Sequence, residues 1–553
     1  MKQNSILLLL CLLLLASLVV QVEAASTIEE RVRMQKEMEK LKQELVLIDY
    51  DTAEKLLKEI EALSLSTDDA DKIKAYELLK VVQSILTESR PIETRAVWLD
   101  DQALGKINGP EKLKELVKWL ADLNVNLILP NVYFAGESFH KSNIVPQMDW
   151  YRITFGEDDP LEILIEEAHK YGIEVHAWVM VYGLQGNVEP FLDRLDWLDK
   201  DKHGKYNNTA HTDYFFSPAH PLARDHILAI IDEVATYNLD GIHLDNIRYK
   251  DGFGYGDYMV DLYQQLFSID PRKIPESNIK QFNHFREFKA QFITSFVELV
   301  RTRLHDKNPH LMLSAATAPQ TWGKNSLGQD WHNWIDNRSL HFVLPMSYIE
   351  TPEEYAQLIA SDIQRIAGKT YCFPGQALYA FSAQTMEKEW QEGQKAPIVG
   401  QTLFSLLHIK STHYELLQKG LFREKAVVTF REPDKAAVLF IDWLKKRIEI
   451  FGSEAGFSDN ESVTWLCLLD KTADLIAKAP TRRYDSRDLR EENKPEQLYW
   501  ETVLKSIEQL LELANNLKEP TSKRLTIDLL QLRSFITPLE YTSRTFTLVP
   551  IKY

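Results

Sequence analysis

The sequence is poor in cysteine and has no excess of positive charge. It contains only 3 cysteines in 553 residues, and one of these, Cys11, lies in the apolar N-terminal run. The other two, Cys372 and Cys467, are too few for a disulfide framework or a zinc site, so we expect either one bridge or two buried thiols. The net charge of -17 argues against broad binding to nucleic acid or anionic lipid, because both are bound through basic surfaces.

The N-terminus has the layout of an export signal. Lys2 precedes an apolar run from Ile6 to Val20, and small residues follow at Ala24 and Ala25. This order is typical of a secretory signal peptide. A membrane span needs about 20 apolar residues, so a permanent anchor is the less favoured alternative. We predict a signal peptide over residues 1–24, a periplasmic or extracellular protein, and no stable membrane span after cleavage.

Helical patterns flank a longer central region. Apolar residues three and four apart predict an N-terminal helical hairpin over residues 26–90, with a coiled coil that binds a cell-envelope partner as the alternative. A helical domain is predicted over residues 425–553. The apolar positions of the two N-terminal helices are Met34, Met38, Leu41, Leu45 and Ile48, then Ile73, Tyr76, Leu79 and Val82.

Residues 91–424 alternate between short β-rich runs and amphipathic helices. This rhythm predicts an α/β fold, a (β/α)8 TIM barrel, rather than an open doubly wound sheet. The first strand is not followed by a Gly-rich phosphate loop, so we expect no dinucleotide cofactor, and no other cofactor is expected. The predicted strands are Thr94–Leu99, Asn126–Tyr133, Glu174–Val181, Gly241–Ile247, Leu311–Ala316, His341–Met346, Tyr371–Ala377 and Ile398–Phe404.

Polar and aromatic residues gather at the predicted strand ends, where TIM-barrel enzymes carry their sites. Strand alternation puts His243 and Asp245 on the inner face of the fourth strand, with Asp245 at the mouth. His243 and His176 lie deeper, and a core role is an equal alternative for both. We expect no metal, because the sequence contains no further ligand cluster. The other residues expected at the mouth are Trp98, Asp100, Asn131 and Trp178, with Glu137 and Arg248 in the loops.

Several ordered motifs in residues 91–410 resemble those of the bacterial glycosyl-hydrolase-like family 10. The motifs are Glu93–Leu99, Asn131–Phe134 with Gly136–Ser138, Asp159–Leu161 with Glu167–Trp178, Ser217–Ala219, Asp240–Tyr249, Gln329–Trp331 with Trp334, and Pro345–Tyr348. The resemblance implies a retaining type of glycosidase with Asp245 as nucleophile. It also makes bacterial cell-wall glycan, including peptidoglycan without stem peptides, a plausible substrate. Asn246 departs from the aromatic or acidic residue that many members have there.

The residues and the resemblance together lead to one hypothesis and two alternatives. Asp245 would act as nucleophile or as electrostatic stabiliser, and Glu137, or else Glu350, as general acid and base. Glu350 precedes a helix that it could instead cap. Asn246, Tyr348 and the mouth residues named above would bind a polysaccharide or oligosaccharide. The alternatives are a non-catalytic glycan-binding protein on the same scaffold, and a metal-dependent deacetylase, for which the ligand cluster is lacking.

Overall fold

The fold is known from a computed structural model that describes residues 27–207, 213–318, 320–452, 457–479, 489–491 and 493–545. The predicted signal peptide, residues 1–24, lies outside these residues. None of the helices in the described ranges is both long and apolar enough to cross a membrane.

Within the described residues, eight parallel strands form the centre of the fold, and the predicted (β/α)8 barrel is confirmed. Each strand lies within two residues of its predicted bounds. In chain order the strands are β1 (Thr94–Leu99), β2 (Leu127–Phe134), β3 (Glu174–Met180), β4 (Gly241–Asp245), β5 (Met312–Thr317), β6 (Phe342–Pro345), β7 (Tyr371–Cys372 and Gly375–Ala377) and β8 (Gly400–Phe404).

The barrel closes through a strand that is divided into two segments. The first segment of β7 pairs with β6, and the second pairs with β8, which in turn pairs with β1. Between the segments, Phe373 N donates to the Val343 carbonyl at 3.0 Å, and the Pro374 carbonyl accepts from Thr402 N at 2.9 Å. Because Pro374 has no N–H, the ladder changes partner at this point and the ring still closes.

Amphipathic helices surround the strands. Several begin with a proline in the first turn, where the missing N–H costs nothing. Asp159 caps one of these helices by accepting from Leu161 N at 2.9 Å. The main outer helices are Pro110–Asp122, Pro160–Lys170, Pro221–Val234, Ile279–Lys307, Trp331–Asp336, Pro352–Ile366, Ala383–Gln394 and Ser411–Leu416. Shorter loop helices are Asp101–Leu104, Asp149–Phe155, Asp257–Phe267 and Gln320–Leu327.

The N-terminal region contains a hairpin of two helices, Tyr50–Ser64 and Asp69–Ile85, and residues 27–43 are also helical. The spacing of Met34 to Ile48 predicts one continuous helix, and this prediction is wrong. The first helix ends before Leu45, which has a left-handed φ of +56°. The predicted apolar face of the second hairpin helix, Asp69–Ile85, is partly wrong as well. Leu79 is buried, but Ile73 and Tyr76 are 66% and 55% exposed.

The C-terminal region shares one apolar cluster with the barrel and reaches its base, the end at which the strands begin. Phe430 projects into this end, with ring centroids 4.8 Å from Phe342, 5.5 Å from Phe373 and 5.9 Å from His176. The predicted domain boundary near residue 425 stays a prediction. The bundle helices are Pro433–Phe451, Asp459–Ala477, Lys494–Asn515 and Thr521–Ser543.

The two cysteines outside the N-terminal run do not form a bridge. Cys372 on β7 is buried, whereas Cys467 in the bundle is exposed, and both are free thiols. Neither predicted arrangement therefore holds, since only one of the two thiols is buried.

Candidate active site

Asp245 ends β4 at the open end of the barrel, where two donors hold its carboxylate. Trp178 on β3 donates its indole N–H to Asp245 Oδ2 at 3.1 Å. The backbone N–H of Asn246 donates to Oδ1 at 2.6 Å. β3 and β4 pair in parallel register with Trp178 opposite His243, so the indole reaches the next inward residue on β4, which is Asp245.

The groups around Asp245 shift the pKa of its carboxyl in opposite directions. Burial is the largest influence and raises the pKa of this carboxyl. Arg248, the Asn246 N–H and the Trp178 N–H lower the pKa, because each favours the charged form. The net direction is upward. A half-buried carboxyl with a raised pKa at a barrel mouth can exchange a proton with a bound molecule or stabilise a positive charge on it.

The turn after β4 orients Arg248. Asn246 has a φ of +47°, a left-handed conformation that asparagine tolerates better than most residues. Its side-chain oxygen accepts a hydrogen bond from Arg248 Nε at 3.0 Å. A Cβ at Gly183 would lie only 2.9 Å from Asn246 Nδ2, so the glycine leaves room for this amide. The asparagine thus has a clear positioning role, and substrate contact by either residue stays a prediction.

Aromatic side chains form one wall of the mouth. The rings of Tyr348, after β6, and Phe404, at the end of β8, are stacked with centroids 5.5 Å apart. Tyr379, after β7, meets both edge-on at 6.2 and 6.1 Å and is 52% exposed. Burial and the nearby Asp245 both raise the pKa of Tyr348, which places this wall beside the carboxylate. The exposed Tyr379 ring is available for stacking on a sugar.

Phe404 and Tyr379 were missed by the sequence reasoning. Phe404 ends a predicted strand, so the same strand-end rule that selected Asp245 could have selected it. Tyr379 lies two residues beyond Ala377, the end of β7. No local pattern distinguishes it from other loop aromatics.

Trp98 and His243 belong to the barrel interior. Trp98 donates its indole N–H to His243 Nε2 at 3.1 Å, and His243 Nδ1 lies 3.0 Å from Ser314 Oγ. Because an indole N–H only donates, Nε2 must accept and Nδ1 must carry the proton. Burial, with a contribution from His176, lowers the pKa of His243 to about 3. Both ring nitrogens are engaged within the protein, which favours the core alternative for His243, and substrate contact by this residue stays a prediction.

His176 and Asp100 also have structural roles. His176 is fully buried at the base of the barrel, 3.2 Å from Glu174 Oε2 and against Phe430, so its predicted place at the mouth is wrong. Asp100 caps the helix after β1 through Ala103 N at 2.9 Å. Its other oxygen accepts from Leu407 N at 3.3 Å. Both oxygens of Asp100 are therefore committed to the backbone.

Asn131 lies on β2 opposite Trp178, in the predicted position. Its side chain is 1% exposed, and neither amide atom has a hydrogen-bond partner within the described part of the chain. A buried amide without partners is costly in free energy, which leaves it suited to bind a polar ligand.

The two predicted acid candidates lie outside this inner group. Glu137 is in the short strand Glu137–Ser138, which pairs with the end of β2, and burial followed by Asp149 raises its pKa. Glu350 is exposed. The helix Pro352–Ile366 is capped by Thr351 Oγ1, which accepts from Glu354 N at 3.2 Å, so the alternative of Glu350 as cap is wrong.

Possible metal ligands do not cluster in the part of the chain that the structure describes. Among the described residues, no group of three or more His, Cys, Asp or Glu side chains is arranged to bind an ion. The chemistry that the mouth offers is therefore that of a carboxylate, a guanidinium, amides and aromatic rings, a combination suited to carbohydrate.

Comparisons with known proteins point the same way. The model of the family described as glycosyl hydrolase-like 10 matches residues 93–392. Glycosyl hydrolase YngK of Bacillus subtilis is 22% identical over 46% of this chain and 54% of its own length. Glycosyl hydrolase DigH of Escherichia coli is 27% identical over 41% of this chain and 56% of its own. The chain thus spans about half the length of these curated relatives.

Two solved structures are similar at low identity. The PgaB (BpsB) glycoside hydrolase domain from Bordetella bronchiseptica has a TM-score of 0.47 and 14% identity, over 60% of this chain and 99% of that one. Alpha-L-fucosidase isoenzyme 2 from Paenibacillus thiaminolyticus has a TM-score of 0.44 and 16% identity, over 59% and 48%. The family model, which spans more than half of the sequence and includes Asp245, decides the assignment: the chain belongs to the glycosyl hydrolase-like 10 family.

Proposed function

We propose that this protein is an exported glycoside hydrolase that cleaves O-glycosidic bonds in a polysaccharide, with bacterial cell-wall glycan as the favoured substrate. The observation that carries the proposal is Asp245, a half-buried carboxylate at the barrel mouth, held by Trp178 and beside the Tyr348 ring. Membership of a glycosyl-hydrolase-like family and the named relatives support it.

In this proposal Asp245 acts as nucleophile or as stabiliser of the oxocarbenium-like transition state. Its two hydrogen-bond donors keep the carboxylate oriented toward the mouth. Glu137 is the preferred acid and base, because a raised pKa favours the protonated form that a general acid needs. Glu350 is the alternative acid. Asn131 and the exposed Tyr379 ring would bind the sugar through hydrogen bonds and stacking.

Asp245→Asn tests the proposal. The purified protein is incubated with a panel of cell-wall and exopolysaccharide glycans, and new reducing ends are measured. We expect Asp245→Asn to lower hydrolysis by a factor of about 10³ or more, as expected when a central catalytic carboxylate is lost. Asp251→Asn is the matched control, because Asp251 is exposed in the same loop. A folded Asp245→Asn variant that hydrolyses these glycans as fast as the unmodified protein would refute the catalytic role of Asp245.

Glu137→Gln and Glu350→Gln identify the acid. Loss of the general acid should slow natural glycans by about 10²- to 10⁴-fold. It should slow aryl glycosides with good leaving groups much less, because these need little protonation. The variant with this selective defect marks the acid, and absence of the defect in both variants would exclude both residues.

A non-catalytic glycan-binding protein is the second candidate. It is favoured by one observation: the pKa of Asp245 is shifted by burial, Arg248, Asn246 and Trp178, and neither acid candidate contributes. This alternative predicts glycan binding without turnover, and binding that survives Asp245→Asn. In that case the helical flanks would recruit partners in the cell envelope.

A further inference from the structure

Asn246 links the carboxylate of Asp245 to the guanidinium of Arg248. Its backbone N–H donates to Asp245 Oδ1 at 2.6 Å, and its side-chain oxygen accepts from Arg248 Nε at 3.0 Å. The backbone N–H of Arg248 also donates to the Asn246 carbonyl, at 2.8 Å. Among the described residues, no hydrogen bond joins the side chains of Asp245 and Arg248 directly, although each charge shifts the pKa of the other group. Two opposite charges therefore act on each other with one amide between them.

The end of β3 and the residues after it hold this amide in place. Asn246 is 6% exposed, and its Nδ2 lies 3.5 Å from Met180 Sδ. Gly183 leaves room for the same nitrogen, as described above, and the Asn246 carbonyl accepts from Tyr182 N at 3.4 Å. Because these contacts fix one side of the amide, its oxygen is left facing Arg248.

A direct ion pair is the expected arrangement where nothing separates such groups. A guanidinium and a carboxylate attract each other strongly where water is partly excluded, and their planar shapes match in a bidentate pair. Burial lowers the pKa of Arg248 and raises that of Asp245, so water is partly excluded here. A carboxylate has about four acceptor positions. Trp178 and the Asn246 N–H use two of them, and a bidentate arginine would use the rest.

The other groups that face Asp245 bring no positive charge to it. Burial, Asp245 and Tyr379 raise the pKa of Tyr348 after β6, so this phenol is uncharged at neutral pH. His243, the preceding inward residue on β4, has a pKa of about 3 and is also neutral. Trp178 on β3 donates a hydrogen bond but does not titrate. The charge state and the freedom of Asp245 therefore depend on where Arg248 is held.

We propose that Asn246 is a positioning residue that keeps Arg248 from closing onto Asp245, so that the carboxylate stays charged and unpaired at the mouth. The effect on hydrolysis rests on the proposed glycosidase function, whereas the effect on the two side chains does not. Asn246→Gly removes the amide and keeps the turn, because glycine adopts the left-handed φ of +47° without strain. In this variant the guanidinium closes onto Asp245 and forms the direct ion pair.

Carbon-13 NMR of the Asp245 carboxyl, assigned by its absence in Asp245→Asn, measures the pKa without any substrate. The pKa should fall in Asn246→Gly, because a direct ion pair favours the charged form. It should rise in Asn246→Asp, which keeps an acceptor for Arg248 and adds a like charge beside Asp245. A crystal structure of Asn246→Gly should show Arg248 donating to the Asp245 carboxylate at about 2.8 Å. An unchanged or raised pKa in Asn246→Gly, a guanidinium that stays apart from the carboxylate, or a fall of the pKa in both variants would overturn the proposal.

Hydrolysis of purified bacterial cell-wall glycan strands adds a second readout. Asn246→Gly should lower kcat by about 10²-fold, the cost of misplacing a group that acts on the reacting atoms, and should move the acidic limb of the pH–activity profile to lower pH. Adding Arg248→Met removes the cation that closes onto Asp245, so part of kcat should return above neutral pH. A double variant no faster than Asn246→Gly would contradict the proposal. Absence of hydrolysis by the unmodified protein would instead refute the proposed function, and the NMR and crystal results would still test Asn246.

Discussion

Arg431→Met should destabilise the base of the barrel by several kcal/mol. Arg431 follows Phe430, whose ring packs into the base of the barrel. It binds Glu174 on β3 through Nε and Nη2 at 2.8 and 2.7 Å. It also donates to the carbonyls of His310 and Asp240, each at 3.1 Å, just before β5 and β4. One side chain therefore joins the C-terminal region to the start of three strands.

The expected loss of stability follows from the pKa of the Glu174 carboxyl. Burial alone would raise the pKa of this carboxyl, but Arg431 and His176 outweigh burial and lower it from 4.5 to about 2. Such a shift corresponds to about 3 kcal/mol of stability at neutral pH. Breaking a buried ion pair from one side costs about 3–5 kcal/mol, because the other charge stays buried. We therefore expect about 3 kcal/mol for Arg431→Met at pH 7.

The pH dependence has a definite sign. A folded-state pKa below the unfolded value gives stability that is present above about pH 4.5 and is lost as the pH falls toward about 2. The difference in free energy of unfolding between the native protein and Arg431→Met should therefore shrink as the pH falls through this range. Urea unfolding followed by tryptophan fluorescence at several pH values measures this difference.

Arg272→Met is the matched control. Arg272 is 43% exposed and pairs with Asp270 two residues away, so its loss should change stability by about 0.5 kcal/mol or less. Glu174→Gln combined with Arg431→Met should recover part of the loss, since no charge is left buried. A loss for Arg431→Met that stays constant from pH 7 to pH 3 would refute the electrostatic explanation.

Two further predictions concern Phe430 at the base of the barrel and the candidate active site at its mouth. Phe430→Ala should cost about 3–5 kcal/mol, because the removed ring leaves a cavity against Phe342 and Phe373; a calorimetric loss below 1 kcal/mol would show that the base collapses around it. Trp178→Phe removes a donor that favours the charged form of Asp245, so the pKa of this carboxyl should rise further. The acidic limb of the pH–activity profile should move to higher pH, and an unchanged limb would contradict a role for ionised Asp245.

Much of the fold was predictable because it depends on local pattern. The strands of the barrel are short apolar runs, and helices lie between them, so period and length identified both. The N-terminal region is where this reasoning failed. Leu45 continues the apolar spacing of the preceding helix, but its left-handed φ ends the helix. Ile73 and Tyr76 fit a helical stripe as well, yet the face that packs is the one with Ala75, Leu79 and Val82.

The candidate site was predictable only in part. Alternation identifies which side chains point inward, and it correctly put Asp245 and Trp178 at the same end of the barrel. It does not say how deep an inward residue lies or which partner has already bound it. His243 and His176 share the inward face, but the first is held by Trp98 and Ser314 and the second lies near Phe430.

By itself, the sequence determined the barrel, the flanking helices and the position of Asp245 at a strand end, because each follows from spacing along one element. Only the tertiary structure decided which polar groups remain available for a ligand. Asp100 and His243 are satisfied by residues distant in the sequence, whereas the side-chain amide of Asn131 has no partner within the described part of the chain. Hydrogen bonding is a property of neighbours in space, and the closure of the barrel sets those neighbours.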